Sequence, residues 1–361
     1  MNWPSRLLLA PYLALAALGI SSATPAAEPT DKEQYFIYEI NRARNDPAGW
    51  AVEMGIDTVT GGDGNPANLV GVAPQPPLAV NEQLVDSARF HSTDMATHHY
   101  FGHYSGPTGL WPNQMVRDAG YDLPLQYYYE QFSYYLLPPD SNQVEAIAAG
   151  YGPPGSPYDY SLPLNALIGL IVDFGIPDLG HRKHLLGIGE FNEAFREVGT
   201  GYAYDGAAGV CAGQPSSLCY FGKNWWSIHT GFEHSGFGDS LDTFVTGVVF
   251  SDLNANELYD DGEGLSGVTV AVGEESDTTN AAGGYAIEVS DGTHIVSCSG
   301  AGFSGTSAVE VTVAGASREV DFASGEPGAF VDFVAVPEPS MAFAGAAALF
   351  TVGAIRRKRC T

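Results

Sequence analysis

Apolar residues recur at helical spacing in the first half of the chain and alternate with polar ones in the second. Phe36, Ile40 and Ala43 share one face of a helix that Asp31 and Gln34 would open as a capping box. Asn45-Asp46-Pro47 ends that helix and starts another, with Asp46 as N-cap and Pro47 at the first helical position. The Gly/Asn/Pro-rich stretch 61–77 reads as loop. Asn81 then caps a helix to about His99, with Leu84, Ala88, His91 and Met95 on one face. Further helices are expected over 141–149 and 162–174, and strands over 197–204 and 218–228. After a Gly/Ser/Asp-rich linker, 233–242, the period becomes two. Short runs at 244–250, 268–272, 285–289, 294–298, 309–313 and 319–322 are separated by turn residues, the spacing of a β-sandwich. The fold class expected is α+β: a mixed domain over 29–232, then an all-β sandwich over 243–336.

Both ends follow a third pattern. Arg6 precedes an apolar run over 7–20, and Ser21-Ser22-Ala23 or Ala26-Ala27 offers a cleavage site, so 1–27 reads as a secretory signal peptide. At the other end, Val336-Pro337-Glu338-Pro339-Ser340 leads into an apolar run over 341–355 and then Arg356-Arg357-Lys358-Arg359. At about 1.5 Å per residue that run spans roughly 22 Å as a helix, short of the about 30 Å of hydrocarbon in a bilayer. This order of motif, apolar segment and basic stop resembles the PEP-CTERM sorting signal of Gram-negative bacteria. The resemblance implies that exosortase-type machinery removes 337–361 after a transient inner-membrane intermediate. It also implies a destination at the cell surface or in the extracellular matrix. An ordinary short C-terminal anchor is the other reading.

The full chain carries 15 Lys+Arg against 42 Asp+Glu, a net charge of −27. Without 1–27 and 337–361 it keeps 10 basic and 41 acidic residues, a net of −31. Such a charge repels nucleic acid and anionic membranes and favours cation binding. Four cysteines are too few for a disulfide scaffold. Cys211 and Cys219 flank a turn-rich insert and, after export, are expected to pair; Cys298 lies in an apolar strand and is expected to be a buried thiol.

The strongest local motif is Asp252-Leu-Asn254-Ala-Asn256-Glu257-Leu258-Tyr-Asp260-Asp261-Gly262-Glu263. Oxygen-bearing side chains stand at loop positions one, three, five, nine and twelve of the EF-hand pattern, and Leu258 can offer its carbonyl at seven. Calcium is the ion such a set of hard oxygens would hold. Glu257 occupies position six, where an EF-hand has glycine, and no helices flank the loop. An acidic surface turn is the bland alternative. With Gly247-Val-Val-Phe250-Ser-Asp252, Gly264-Leu-Ser-Gly-Val-Thr-Val270 and Thr279-Asn-Ala-Ala-Gly-Gly-Tyr285, the segment 243–334 resembles the calcium-binding B-type repeats of serine-aspartate-repeat surface adhesins. The resemblance implies an Ig-like sandwich, stiffened by calcium, that acts as a spacer or stalk.

A longer series runs through the first half. Pro77-Leu78-x-x-Asn81-x-x-Leu84, Ala88-x-x-His91-Ser92-x-Asp94-Met95-Ala96, Tyr100-Phe101-x-His103-x-Ser105 and Ala119-Gly120-Tyr121 come first. Tyr129-Glu130-Gln131, Gly180-His181-Arg182-x-x-Leu185-Leu186 and Glu197-Val-Gly-x-Gly201 follow in order. The series resembles the CAP superfamily, or SCP domain, in its bacterial branch, over about 34–232. That resemblance implies an α-β-α sandwich with a surface cleft of two histidines and two acidic residues. Carried over by motif, His103 and His181 are the histidines and Glu130 the first acid. Asp173 is the first candidate for the second acid, with Asp178 behind it. His103, His181 and Glu130 could hold zinc or another divalent ion, or could simply order the cleft. His91, His98, His99 and His184 read as surface or packing histidines. The tyrosines at 127–129 and 134–135 read as core in preference to cleft wall.

These readings lead to an exported, non-enzymatic binding module for a lipid, peptide or glycan. A metal-dependent, protease-like hydrolase is the alternative, and a matrix stalk the third reading. No Gly-x-Ser-x-Gly elbow, His-Glu-x-x-His, Walker loop or dinucleotide fingerprint is present to supply another chemistry.

Overall fold

The computed structural model describes residues 27–130, 133–150, 156–157, 159–206, 223–233, 240–304, 307–325 and 329–330. The expected signal segment, the Cys211–Cys219 pair and the sorting tail lie outside these residues. No helix among the described residues is long and apolar enough to cross a membrane. The first half contains α1 (Asp31–Asn45), α2 (Pro47–Glu53), β1 (Ala79–Val80), α3 (Glu82–His98), α4 (Pro112–Asp118), β2 (Gln126–Glu130), β3 (Ser133–Leu136) and β4 (Glu145–Gly150). α5 (Pro163–Val172), α6 (Gly180–Leu185), β5 (Glu197–Tyr204) and β6 (Asn224–Gly231) complete it.

Local chemistry sets most helix ends. The capping box on α1 lies one residue earlier than the sequence suggests: Thr30 is the N-cap, and Glu33 returns the bond to the Thr30 backbone. Asp46 caps α2 through the Gly49 N–H at 3.0 Å, with Pro47 in the first turn. Asn81 caps α3 by accepting from Gln83 and Leu84, and its amide donates to Glu197 Oε1 at 2.7 Å. The segment expected as a helix over 141–149 is instead strand β4. Its alanines favour a helix locally, but six consecutive residues pair antiparallel with β6, from Glu145 opposite His229 to Gly150 opposite Asn224. Tertiary pairing overrides propensity here. The strand expected over 218–228 is shifted: β6 spans Asn224–Gly231.

β1, β5, β6 and β4 form one sheet in that order, β1 parallel to β5 and the rest antiparallel. Alternation decides which layer each residue meets. Thr200 of β5 donates to the Glu33 carbonyl of α1, and Trp226 of β6 packs on Phe36 of α1. On the opposite face, Gly199 and Gly201 lie under α3. A Cβ built on Gly199 would meet the Leu84 carbonyl carbon at 2.1 Å, and one on Gly201 that of Ala88 at 2.2 Å. Only hydrogen at these positions lets the α3 backbone rest on the sheet. Helices therefore cover both faces.

The second half contains β7 (Phe244–Ser251), β8 (Thr269–Val272), β9 (Glu275–Thr278), β10 (Gly284–Glu288), β11 (Gly292–Ser299), β12 (Ser307–Val313), β13 (Arg318–Glu319), β14 (Asp321–Ser324) and β15 (Ala329–Phe330). One sheet runs β10-β7-β14-β15 with β13 also on β7; the other runs β12-β11-β8-β9. Val245, Val249, Tyr285, Ile287 and Phe322 of the first meet Val270, Val272, Val296, Cys298 and Val311 of the second. Cys298 is a free, buried thiol, and burial pushes its pKa up to about 12.

β7 is buried along almost its whole length because it is covered on both faces. Val248 and Phe250 turn away from the sandwich core and gather with Ala323, Tyr259 and Tyr38 of α1. Tyr259 is fully buried, edge-on to Tyr38 with ring centroids 5.4 Å apart. One residue of the acidic loop 252–263 is thus inserted between the sandwich and α1.

Candidate metal and ligand site

Register places a row of functional positions across the sheet on its α3 face. Glu145 of β4 lies opposite His229 of β6, and His229 lies opposite Gly199 of β5. Because Gly199 and Gly201 carry no side chain, α3 descends far enough for His91 to reach Glu145. The Glu145 carboxylate is fully buried and holds four side chains. His103 Nδ1 binds Oε1 at 2.7 Å; on Oε2 are His91 Nδ1, Ser227 Oγ at 2.6 Å and His229 Nε2 at 3.0 Å. His229 Nδ1 is in turn held by Ser87 Oγ of α3 at 2.8 Å.

Electrostatics follow from this burial. Desolvation raises the Glu145 pKa, but the charge of His91 and the hydrogen bonds from His103, His229 and His91 outweigh it, so the carboxyl stays well below its usual range. Burial also opposes a proton on His91, yet the adjacent Glu145 carries its pKa upward. His229 is pushed down by burial. His184, enclosed and bonded to Thr230 Oγ1 at 2.6 Å, is driven by burial down to about 3.

His181 sits in the first turn of α6. Asp173, just past the end of α5 and in left-handed backbone with φ 57°, accepts from its ring Nδ1 at 2.7 Å and its backbone N–H at 3.0 Å. Arg182 anchors the same turn through the Ile171 and Val172 carbonyls. The rings of His103 and His181 come together, with centroids 6.5 Å apart and planes tilted by 39°. Their side chains are 34% and 23% exposed, so both can be reached from solvent. Each ring is tied by Nδ1 to a carboxylate, and among the described residues neither Nε2 makes a hydrogen bond. A carboxylate on the far nitrogen is the usual support for a metal-binding imidazole. An ion about 2.0–2.1 Å from each Nε2 at a tetrahedral angle needs ring centroids about 5 Å apart, about 1.5 Å closer than these rings stand.

The structure therefore brings His103, His181 and Asp173 together. Glu130 ends β2, and its side chain lies outside what is described. The carboxylate that the structure puts on His103 is Glu145, which sequence reasoning missed. The available signal was a lone acid at the head of the apolar run Glu145-Ala-Ile-Ala-Ala-Gly150. His91, expected at the surface or in packing, belongs to the buried network. Asp178 lies in the turn before α6. The tyrosines at 134 and 135, read as core, are 48% and 37% exposed, because β2 and β3 form a separate two-stranded hairpin. Tyr127 does pack inward, on Phe232 with centroids 4.9 Å apart.

In the acidic loop, the oxygen-bearing side chains already fold onto the chain. Asp252 accepts from the Asn256 and Glu257 N–H groups at 3.2 and 2.9 Å. Asn254 and Asn256 both donate to Asp260 Oδ2, at 2.7 and 2.8 Å, and Asn256 Oδ1 accepts from the Leu258 N–H at 2.8 Å. Glu263 takes Leu253 N–H on one oxygen and Asp260 N–H on the other, at 2.9 and 3.0 Å. Glu257 adopts φ 64°, the left-handed conformation that glycine supplies at position six of an EF-hand. A non-glycine residue in that conformation carries a strain of about 1–2 kcal/mol.

No protein-family model matches the chain, and no curated protein matches it. Among solved structures it is similar to an extracellular protein containing a SCP domain from Bacillus anthracis str. Ames, at 20% identity and a TM-score of 0.29. The match covers 55% of this chain and 41% of that one, so this chain spans about two fifths of that protein. So distant a likeness supports no inference about activity, and the chemistry rests on the geometry described above.

Proposed function

We propose that this is an exported CAP-type protein of the cell surface or extracellular matrix, acting as a binding module and not as an enzyme. A divalent ion of the zinc type sits between His103 and His181, and completes its shell with a group from a small extracellular ligand such as a peptide or glycan. The observation that carries the reading is the pair of solvent-reachable imidazoles, each held through Nδ1 by its own carboxylate, Glu145 and Asp173. The ordered motif series from Pro77 to Gly201 supports the CAP assignment, the N-terminal apolar run 7–20 supports export, and the Pro337-Glu338-Pro339 tail with its basic cluster supports processing. Titrating zinc into the mature protein should reveal a rapidly exchanging equivalent that His103→Ala/His181→Ala abolishes. Asp173→Asn should weaken it by about 10–100-fold. Affinity should also fall on acidification, because protons compete with the ion for imidazole. Equal zinc affinity in wild type and double variant would refute the site. Zinc-dependent turnover of peptide or ester substrates, lost in the double variant, would instead favour the hydrolase.

The loop 252–263 is read as a calcium site of Asp252, Asn254, Asn256, Leu258, Asp260 and Glu263 that stabilises the sandwich. At a hundredfold excess over Kd, calcium should add about 2.7 kcal/mol. Asp252→Ala/Glu263→Ala should remove the upward shift in Tm, and chelator should have no further effect on that variant. A wild-type Tm indifferent to both calcium and chelator would reduce the loop to an acidic turn.

A further inference from the structure

Glu145, which holds His103, also meets His91 and His229 and with them makes a second donor set. We propose that His91, Glu145 and His229 form a fully buried site for a divalent ion of the zinc class, taken up as the chain folds. One ligand atom from each, His91 Nδ1, His229 Nε2 and a Glu145 oxygen, lies within 4.8 Å of the others. Two histidines and one glutamate are a known zinc-ligand combination, and tetrahedral bonds of about 2.0–2.1 Å place donor atoms about 3.3 Å apart. His229 Nε2 and Glu145 Oε2 are already 3.0 Å apart.

Three further observations support the site. All three side chains are completely buried, so the donors are pre-positioned by packing between α3, β4 and β6. Ser87 holds the far nitrogen of His229, the support that keeps a metal-binding imidazole in orientation. Among the described residues no lysine or arginine side chain bonds Glu145, whose partners are three imidazoles and the Ser227 hydroxyl. A buried carboxylate needs a counter-charge. Either a proton on an imidazole or a metal ion provides it, and the two are experimentally distinct. With metal bound, His91 and His229 each offer a lone pair, and any proton on those nitrogens is released to solvent. Glu145 would then serve both sites, one oxygen on the buried ion and the other orienting His103.

The test uses the full mature chain, refolded with zinc alone under excess calcium, dialysed, and analysed for metal content. Wild type and His103→Ala/His181→Ala are compared, with circular dichroism as the check on folding. The expected result is one slowly exchanging equivalent in both proteins. Refolding the double variant with cobalt(II) should give ligand-field absorption that His229→Gln loses. Metal retained by wild type and absent from a folded double variant would overturn the buried site while upholding the exposed one. A metal-free wild type after dialysis would overturn the buried site alone, because the exposed pair exchanges its ion rapidly and is judged by the zinc titration. If His229→Gln fails to fold, retention of one equivalent by the folded double variant still decides the matter.

Discussion

Replacing Glu145 by alanine should destabilise the first half of the protein by about 3–5 kcal/mol, because it strands a buried charged and hydrogen-bonded network. His91, His103, His229 and Ser227 would each lose the carboxylate they share. Glu145→Gln keeps the shape and separates charge from volume. The pH dependence carries its own sign. The folded pKa of Glu145 is depressed, so its contribution is complete above the unfolded value of about 4.3 and is lost as pH falls through the folded one. The folded pKa of His91 is raised, so its contribution is complete below the unfolded value of about 6.5 and is lost as pH rises through the folded one. The pair therefore stabilises most between about pH 4.3 and 6.5. Denaturant titrations of the metal-free protein across pH should show this window in wild type and a flattened profile in Glu145→Gln. Identical profiles would mean that the network contributes no net electrostatic stability.

The second large effect is expected at Gly199 and Gly201. Alanine at either position drives a methyl into backbone atoms of α3 at 2.1–2.2 Å, with no flexible side chain to yield. Overpacking commonly costs about 1–3 kcal/mol, and a clash against helix backbone belongs at or above the upper end. The helix must lift, and His91 lifts with it. Gly199→Ala and Gly201→Ala should each lower stability by about 3 kcal/mol or more, and the double variant should not fold. Chemical denaturation measures the first, and circular dichroism the second. A loss below about 1 kcal/mol in either single variant would show that α3 does not rest on the sheet as described.

Much of the architecture is legible in the chain because it is written in local periods. The helical spacing of Phe36, Ile40 and Ala43 finds α1, the Asn81 cap finds the start of α3, and alternating apolar runs find β7, β8, β10, β11 and β12. In β8, β10, β11 and β12 one apolar stripe faces one core, so burial and sequence period agree. Where an element is covered on both faces the period vanishes. That is why the alanine-rich β4 reads as a helix, and why the outward face of β7, closed by Tyr38 and Tyr259, gives no warning.

Half of the candidate site is legible for a similar reason. His181 and Asp173 are eight residues apart and meet at one turn, and the motif order singles out His103. Glu145 could not be found that way. It lies 42 residues from His103, 54 from His91 and 84 from His229, and its meaning arises only when β4 pairs with β6 and α3 settles over Gly199. The residue types and helix caps are properties of short windows, and the sequence alone determines them. Which carboxylate stands beside which imidazole depends on strand register and on how closely a helix can approach a sheet, and only the tertiary structure decides that.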